Sequence, residues 1–215
     1  MNRLNKIRIP LKTLSLREQI IRTLGVLLLG IFMGAFSKYL EAPIGKMPAF
    51  LKAIDKSLDF HNFLGGFAPW IVIAVLISVR SHSPLRAAVN VFCFFCGMVA
   101  SYYLYSYYIA GFFPKSYARI WILLTLAAPF LAYLCWYAVG QGIAAFLLSA
   151  AILSVLINTA FYYGIFYIGV SSWLNVIMLL LGILILHKSF WETCGMIALG
   201  AVFAVMMEIL LPFHI

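Results

Sequence analysis

The chain alternates long apolar runs with short polar connections, and the lengths of the runs set the first expectation. Crossing about 30 Å of hydrocarbon takes about 20 mostly apolar residues in a helix. Seven segments approach or meet that length: about Gln19 to Leu40, Phe63 to Val79, Ala87 to Phe112, Ile120 to Val139, Gly142 to Phe166, Ser172 to Leu186 and Trp191 to Leu211. The sixth is short, so a six-span arrangement with a re-entrant sixth segment is the alternative. The first segment does not read as a cleaved signal peptide, because its apolar core is long, no clear A-x-A site follows and further spans come after it. Pro69 and Pro129 fall inside the second and fourth runs and predict kinks there.

The longest connection, about Glu41 to Asn62, holds a second kind of pattern. From Pro48 to Phe60, Phe50, Leu51, Ile54 and Leu58 share one face while Lys52, Asp55, Lys56 and Asp59 fall elsewhere. That is an amphipathic helix suited to the headgroup layer, or else a lid over a cavity. The fold class that follows is an all-α integral membrane protein. Its architecture is a compact bundle of about seven transmembrane helices, alternatively six, with an amphipathic helix in the first outer loop. Residues 1–18 read as a basic cytoplasmic tail and 19–215 as a single transmembrane domain.

Composition agrees with this reading. Of 215 residues, 65% are hydrophobic and only 10% charged, with mean hydropathy +1.06. Soluble domains carry about 25% charged residues. The net charge of +9 comes from 15 Lys+Arg against 6 Asp+Glu. The cations sit in the N-terminal tail and at segment ends, a pattern of membrane orientation and anionic-headgroup contact rather than of nucleic-acid binding. With the N-terminus cytoplasmic, the inner side collects Arg3, Lys6, Arg8, Lys12, Arg17, Arg22, Arg80, Arg86 and Lys188. The outer side collects Lys38, Lys46, Lys52, Lys56, Lys115 and Arg119. Seven spans would put His214 and the C-terminus outside.

Candidate chemistry is sparse. Intramembrane charge is the usual functional pointer, and only Glu192 and Glu208, both near ends of the last span, come close. Asn90, Asn158 and Asn175 are intramembrane amides that either join helices or contact a ligand. Five tyrosines crowd the third span, at 102, 103, 105, 107 and 108. Tyr103 and Tyr107 should share one face, and Tyr102 and Tyr105 another, so some should point inward toward an aromatic pocket. Gly30 and Gly34 form a G-x-x-x-G that serves helix packing or the docking of a partner membrane subunit. Cys93 and Cys96 share a helical face and read as small buried hydrophobes. Phosphate-loop, zinc-protease and nucleophile-elbow motifs are absent, and no cofactor or metal is implied.

Gly65-Gly66-Phe67-Ala68-Pro69-Trp70, the stretch Ser83-Pro84-Leu85-Arg86-Ala87-Ala88-Val89-Asn90-Val91-Phe92, Gly97 through Tyr108, and Phe113-Pro114-Lys115-Ser116-Tyr117 together carry a resemblance. The chain resembles a family of small bacterial, Firmicutes-type polytopic membrane proteins of unknown function, which implies a bacterial cytoplasmic membrane. In architecture alone it is similar to the substrate-binding S-components of energy-coupling-factor transporters. It departs from them in span count and in showing G-x-x-x-G where they typically show A-x-x-x-A. The functional expectation is a non-enzymatic membrane protein that binds or moves a small amphipathic or aromatic solute, alone or as a subunit of a larger transporter. The ligand-binding candidates are Tyr102, Tyr103, Tyr105, Tyr107, Asn90, Asn158 and Glu208. Two other readings compete: an enzyme acting on lipid or isoprenoid through Glu192 or Glu208, and a structural or regulatory subunit docking through Gly30 and Gly34.

Overall fold

The computed structural model describes residues 6–11, 14–41, 47–164 and 167–210. Arg3, Lys12, Lys46, Phe166, Leu211 and His214 lie outside the described residues. In chain order the elements are α1 (Leu16–Glu41), α2 (Ala49–Leu58), α3 (Phe60–Gly65), α4 (Ala68–Arg80), α5 (Pro84–Tyr108), α6 (Lys115–Ala138), α7 (Gly142–Ala160), β1 (Phe161–Tyr163), β2 (Ile168–Val170), α8 (Trp173–Leu186) and α9 (Phe190–Leu210).

Five of these helices, α1, α5, α6, α7 and α9, are long and apolar enough to cross a membrane. The protein is a multi-pass helical membrane protein. Among the described residues the count of seven full-length spans is not reached. α4 has 13 residues and α8 has 14, about 20 Å at 1.5 Å per residue, short of the roughly 30 Å hydrocarbon layer.

Local chemistry explains the shortening. The second apolar run is split after Gly65, where Gly66 leaves the helix in an extended conformation. Pro69 then sits in the first turn of α4, where its missing N–H costs nothing. It starts a helix instead of kinking one. The Trp70 indole N–H closes the break by donating to Leu64 O at 2.9 Å. Pro129 does lie inside α6. The fifth run stops being helical at Ala160. Phe161–Tyr163 pairs antiparallel with Ile168–Val170, placing Tyr162 opposite Gly169, where a Cβ would strike the tyrosine ring. The aromatic and β-branched content of this stretch favours a hairpin over another helical turn.

Helix starts are encoded locally. Ser15 and Glu18 form a capping box, the Glu18 carboxylate accepting from Ser15 N at 3.0 Å and Ser15 Oγ from Glu18 N at 3.3 Å. Ser83 caps α5 by accepting from Arg86 N at 3.2 Å.

Packing is organised around α5. Its neighbour α1 crosses it at backbone contact: a Cβ at Gly30 would meet Phe94 O, and one at Gly34 would meet Met98 O and Ser101 Oγ. Reciprocally, a Cβ at Gly97 would lie 2.6 Å from Leu27 O. The G-x-x-x-G face is therefore occupied within the chain. α6 and α4 also pack on α5, and α7 joins this group to α8 and α9. Two cores result. One, around Trp70, Phe94, Met98 and Trp121, lies toward the end bearing the tyrosines of α5. The other, around Leu153, Leu156, Leu186 and Met196, fills the α4–α7–α8–α9 half.

At the opposite end, residues 6–11 strap across the helix termini. Ile7 O accepts from Gln141 N at 2.8 Å, and Leu11 N donates to His82 O at 2.9 Å. The Arg8 guanidinium donates to Trp136 O at 2.6 Å and Val79 O at 2.9 Å, and stacks 4.1 Å above the Trp136 ring. It neutralises carbonyls at the C-terminal ends of α4 and α6 at once. Burial pulls its pKa below the usual arginine value.

Candidate functional site

The tyrosine end was the expected ligand site, and the structure divides its residues. Lys38 is fully buried. Its ammonium donates to Glu41 at 2.7 Å and sits 5.0 Å from the Tyr102 ring and 4.4 Å from the Phe112 ring. The Tyr102 hydroxyl donates to the other oxygen of Glu41. Tyr102 and Tyr103 line a cavity with Ser37, Trp70, Tyr117 and Trp121, and with Leu64 and Gly65 of α3. Its volume is about 20 Å³, room for one water molecule and not for an aromatic solute. Among the described residues the buried Tyr103 hydroxyl has no hydrogen-bond partner.

Tyr107 and Tyr108 do not join them; they are 59% and 75% exposed. Tyr103 and Tyr107 share a face of α5 as expected, but only Tyr103 is covered, because the chain reverses just beyond α5. Gly111, with φ 75°, permits the turn, and Phe113 returns to lie 5.3 Å from the Tyr103 ring. Tyr105 is half-buried and outside the cavity lining. The amphipathic α2 buries none of its residues, with Phe50 65% and Leu58 45% exposed. It lies off the bundle, and α3 is what covers this end.

A larger space lies deeper. Between α4, α5, α6 and α7 is a cavity of about 470 Å³. α4 contributes Ile71, Ala74, Val75 and Ser78, α5 Val91 and Phe95, and α7 Leu148, Ala151, Ile152 and Val155. On α6 it runs from Trp121 to Cys135, about 20 Å along the helix. The small side chains Ala74, Ser78, Ala128, Ala132 and Ala151 leave the room. Leu124, Leu131 and Leu134 line it yet are 38%, 57% and 50% exposed, so it opens sideways onto the lipid-facing surface. Trp70 and Trp121 stand between it and the small cavity, since both line each.

A third cavity, about 390 Å³, opens at the strap end between α1, α4 and α5, on the other face of α4. Arg22, Arg80, Arg86, His82, Gln19 and Asn90 provide its polar lining. Arg86 is positioned by Gln19 O at 3.0 Å, Thr23 Oγ1 and Asn90 Oδ1. Asn90 also accepts from Thr23 at 2.8 Å and donates to Ser81 at 3.2 Å, so it both joins helices and floors the cavity.

The remaining candidates lie elsewhere. Asn158 donates to Ala204 O at 3.2 Å and accepts from Tyr163, which ties α7 to α9. Asn175 donates to Thr159 O at 2.9 Å. Glu208 stands on α9 near Tyr163. Glu192 is exposed beside Lys188, whose pKa burial lowers and Glu192 partly restores. Neither carboxylate lines any of these three cavities. Cys93 and Cys96 are free thiols, and among the described residues no group of His, Cys, Asp and Glu could hold a metal.

In the sequence, Lys38, Arg22, Arg80 and Arg86 stand out only as orientation charges. The signal that could have singled out Lys38 is Glu41, three residues on. No comparable signal exists for the arginines, which come from three different helices. Comparison with family models, curated proteins and solved structures finds no match for this chain.

Proposed function

We propose that the protein binds a long-chain hydrophobic or amphipathic molecule inside the membrane, in the cavity between α4, α5, α6 and α7. The observation that carries this reading is the cavity itself. At about 470 Å³ it falls within the 300–1,000 Å³ range of small-molecule sites. Its lining is apolar except for Ser78, whose hydroxyl is already donated to Ala74 O at 2.7 Å. Its length and narrowness suit a chain, and its side opening suits entry from lipid. The expected amphipathic solute is retained, while its place moves from the tyrosines of α5 to the bundle interior.

The same reading has the N-terminus inside, supported by the Lys and Arg distribution, in a bacterial cytoplasmic membrane, as the family resemblance implies. Seven passes result when α3 with α4, and the hairpin with α8, cross as composite segments.

Tryptophan fluorescence tests the ligand reading. Trp173 and Trp191 are 73% and 82% exposed and are replaced by Phe to remove lipid-facing signal. Dibromostearate added to the purified protein in micelles should then quench the remaining emission saturably, through Trp70 and Trp121. Ala151→Phe, which fills the mouth, should weaken that quenching about tenfold. Quenching that never saturates, or that Ala151→Phe leaves unchanged, would sink the reading.

A further inference from the structure

The strap-end cavity has no part in that reading: it lies on the opposite face of α4 and shares no lining residue with the chain-binding cavity. Three guanidinium groups, from Arg22, Arg80 and Arg86, converge on it from three helices. Among the described residues no carboxylate lines it. The acid nearest in electrostatic terms is Glu18, which acts on Arg22 and His82, but its carboxylate is held by Ser15 N and Oγ at 3.0 and 2.8 Å. Arg86 is fixed in place by three oxygen acceptors. Arg22 and Arg80 are exposed and make no side-chain hydrogen bond among the described residues. Three like charges gathered without a counter-charge favour an anion, and guanidinium forks match phosphate oxygens bidentately.

The walls below the arginines decide what kind of anion. Arg22, Gly25, Val26 and Leu29 follow one side of α1 at i, i+3, i+4 and i+7. Leu76 and Ile77 face them from α4 below Arg80. The cavity therefore passes from charged to apolar over about 10 Å along α1. Gly25 widens it, since a Cβ there would meet nothing within 4 Å. Both α1 and α4 pack on α5, leaving this gap between them with Arg86 and Asn90 as its floor.

We infer that this cavity is a binding site for an anionic phospholipid, with its phosphodiester between Arg22, Arg80 and Arg86 and the start of an acyl chain along Gly25, Leu29 and Leu76. A soluble phosphate shares the head chemistry but makes no use of the apolar walls.

The test is native mass spectrometry of the purified full-length protein in detergent, titrated with dioleoyl phosphatidylglycerol, dioleoyl phosphatidylcholine or inorganic phosphate. Phosphatidylglycerol should bind saturably and at least about tenfold more tightly than phosphatidylcholine. The double variant Arg22→Gln/Arg80→Gln should lose about tenfold or more in that affinity. Gly25→Leu, which keeps every charge and obstructs only the apolar part, should lose a similar amount. Arg17→Gln, an exposed cation outside the cavity lining, should leave affinity unchanged. An equal loss in Arg17→Gln, or equal binding of the two lipids, would overturn the site. Inorganic phosphate binding that depends on Arg22 and Arg80 but ignores Gly25→Leu would overturn the lipid assignment in favour of a soluble phosphate.

Discussion

The crossing of α1 and α5 offers a perturbation whose size can be worked from the structure. Three glycines lie along α1, and their surroundings differ. At Gly25 a Cβ meets open space, whereas at Gly30 and Gly34 it meets backbone carbonyls of Phe94 and Met98. A flexible side chain could swing aside; a helix carbonyl cannot without moving the whole of α5. Gly34→Leu should therefore fall at the severe end of overpacking, about 3 kcal/mol of destabilisation, or roughly a hundredfold in the folding equilibrium at 1.4 kcal/mol per decade. Gly34→Ala should cost about 1–2 kcal/mol by the same collision. Gly25→Ala should be neutral or slightly stabilising, because alanine is the better helix former by up to about 1 kcal/mol. Unfolding of the isolated protein by SDS in mixed micelles, followed by circular dichroism, measures all three. Gly34→Leu unfolding at the wild-type SDS fraction would refute the reasoning. It would mean that the G-x-x-x-G face is free and awaits a partner helix.

Other outcomes follow from single contacts. Arg8→Ala should lower stability by about 2–3 kcal/mol and expose the strap to protease, since it leaves two helix-end carbonyls without their charged donor. Arg8→Lys should restore little, because an ammonium cannot fork between Trp136 O and Val79 O. Tyr103→Phe should be neutral or stabilising by up to about 1 kcal/mol, because its buried hydroxyl has no hydrogen-bond partner among the described residues; Tyr102→Phe should destabilise by removing the donor to Glu41. A loss in Tyr103→Phe larger than in Tyr102→Phe would show the opposite arrangement. At the α2–α3 turn, desolvation raises the Asp55 pKa, but the hydrogen bonds and charge of His61 outweigh it and leave the carboxyl below its ordinary 3.8. With the folded value lowered, the contribution is complete above 3.8 and disappears as pH falls through the lowered value. Protection of the His61 amide, whose N–H donates to Asp55 at 2.8 Å, measured as exchange relative to its intrinsic rate at each pH, should fall in that acid window, and Asp55→Asn should abolish the transition.

Membrane residence was legible from the chain alone, because hydrocarbon transfer is additive along a helix and needs no knowledge of neighbours. A run such as that of α1 or α9 meets the length requirement by itself. The amphipathic α2 and the capping of α1 by Ser15 and Glu18 are equally local. The breaks at Gly66 and Ala160 were harder to see, since apolar content continues through both. There, backbone conformation rather than hydrophobicity ends the helix.

What lay beyond the sequence is how each helix is rotated and which helix it meets. The turn after α5 brought Phe113 against Tyr103 and left Tyr107, one helical turn further along the same face, exposed. Meeting at Gly30, Gly34 and Gly97 brought α1 close enough to α5 for Thr23 to reach Asn90, and so set Arg22 near Arg86. The two large cavities exist because α4 is short and carries small residues on one face while standing apart from α1 on the other. Such gaps are properties of packed surfaces. They are fixed by the shapes of several helices at once, and no single stretch of the chain contains them.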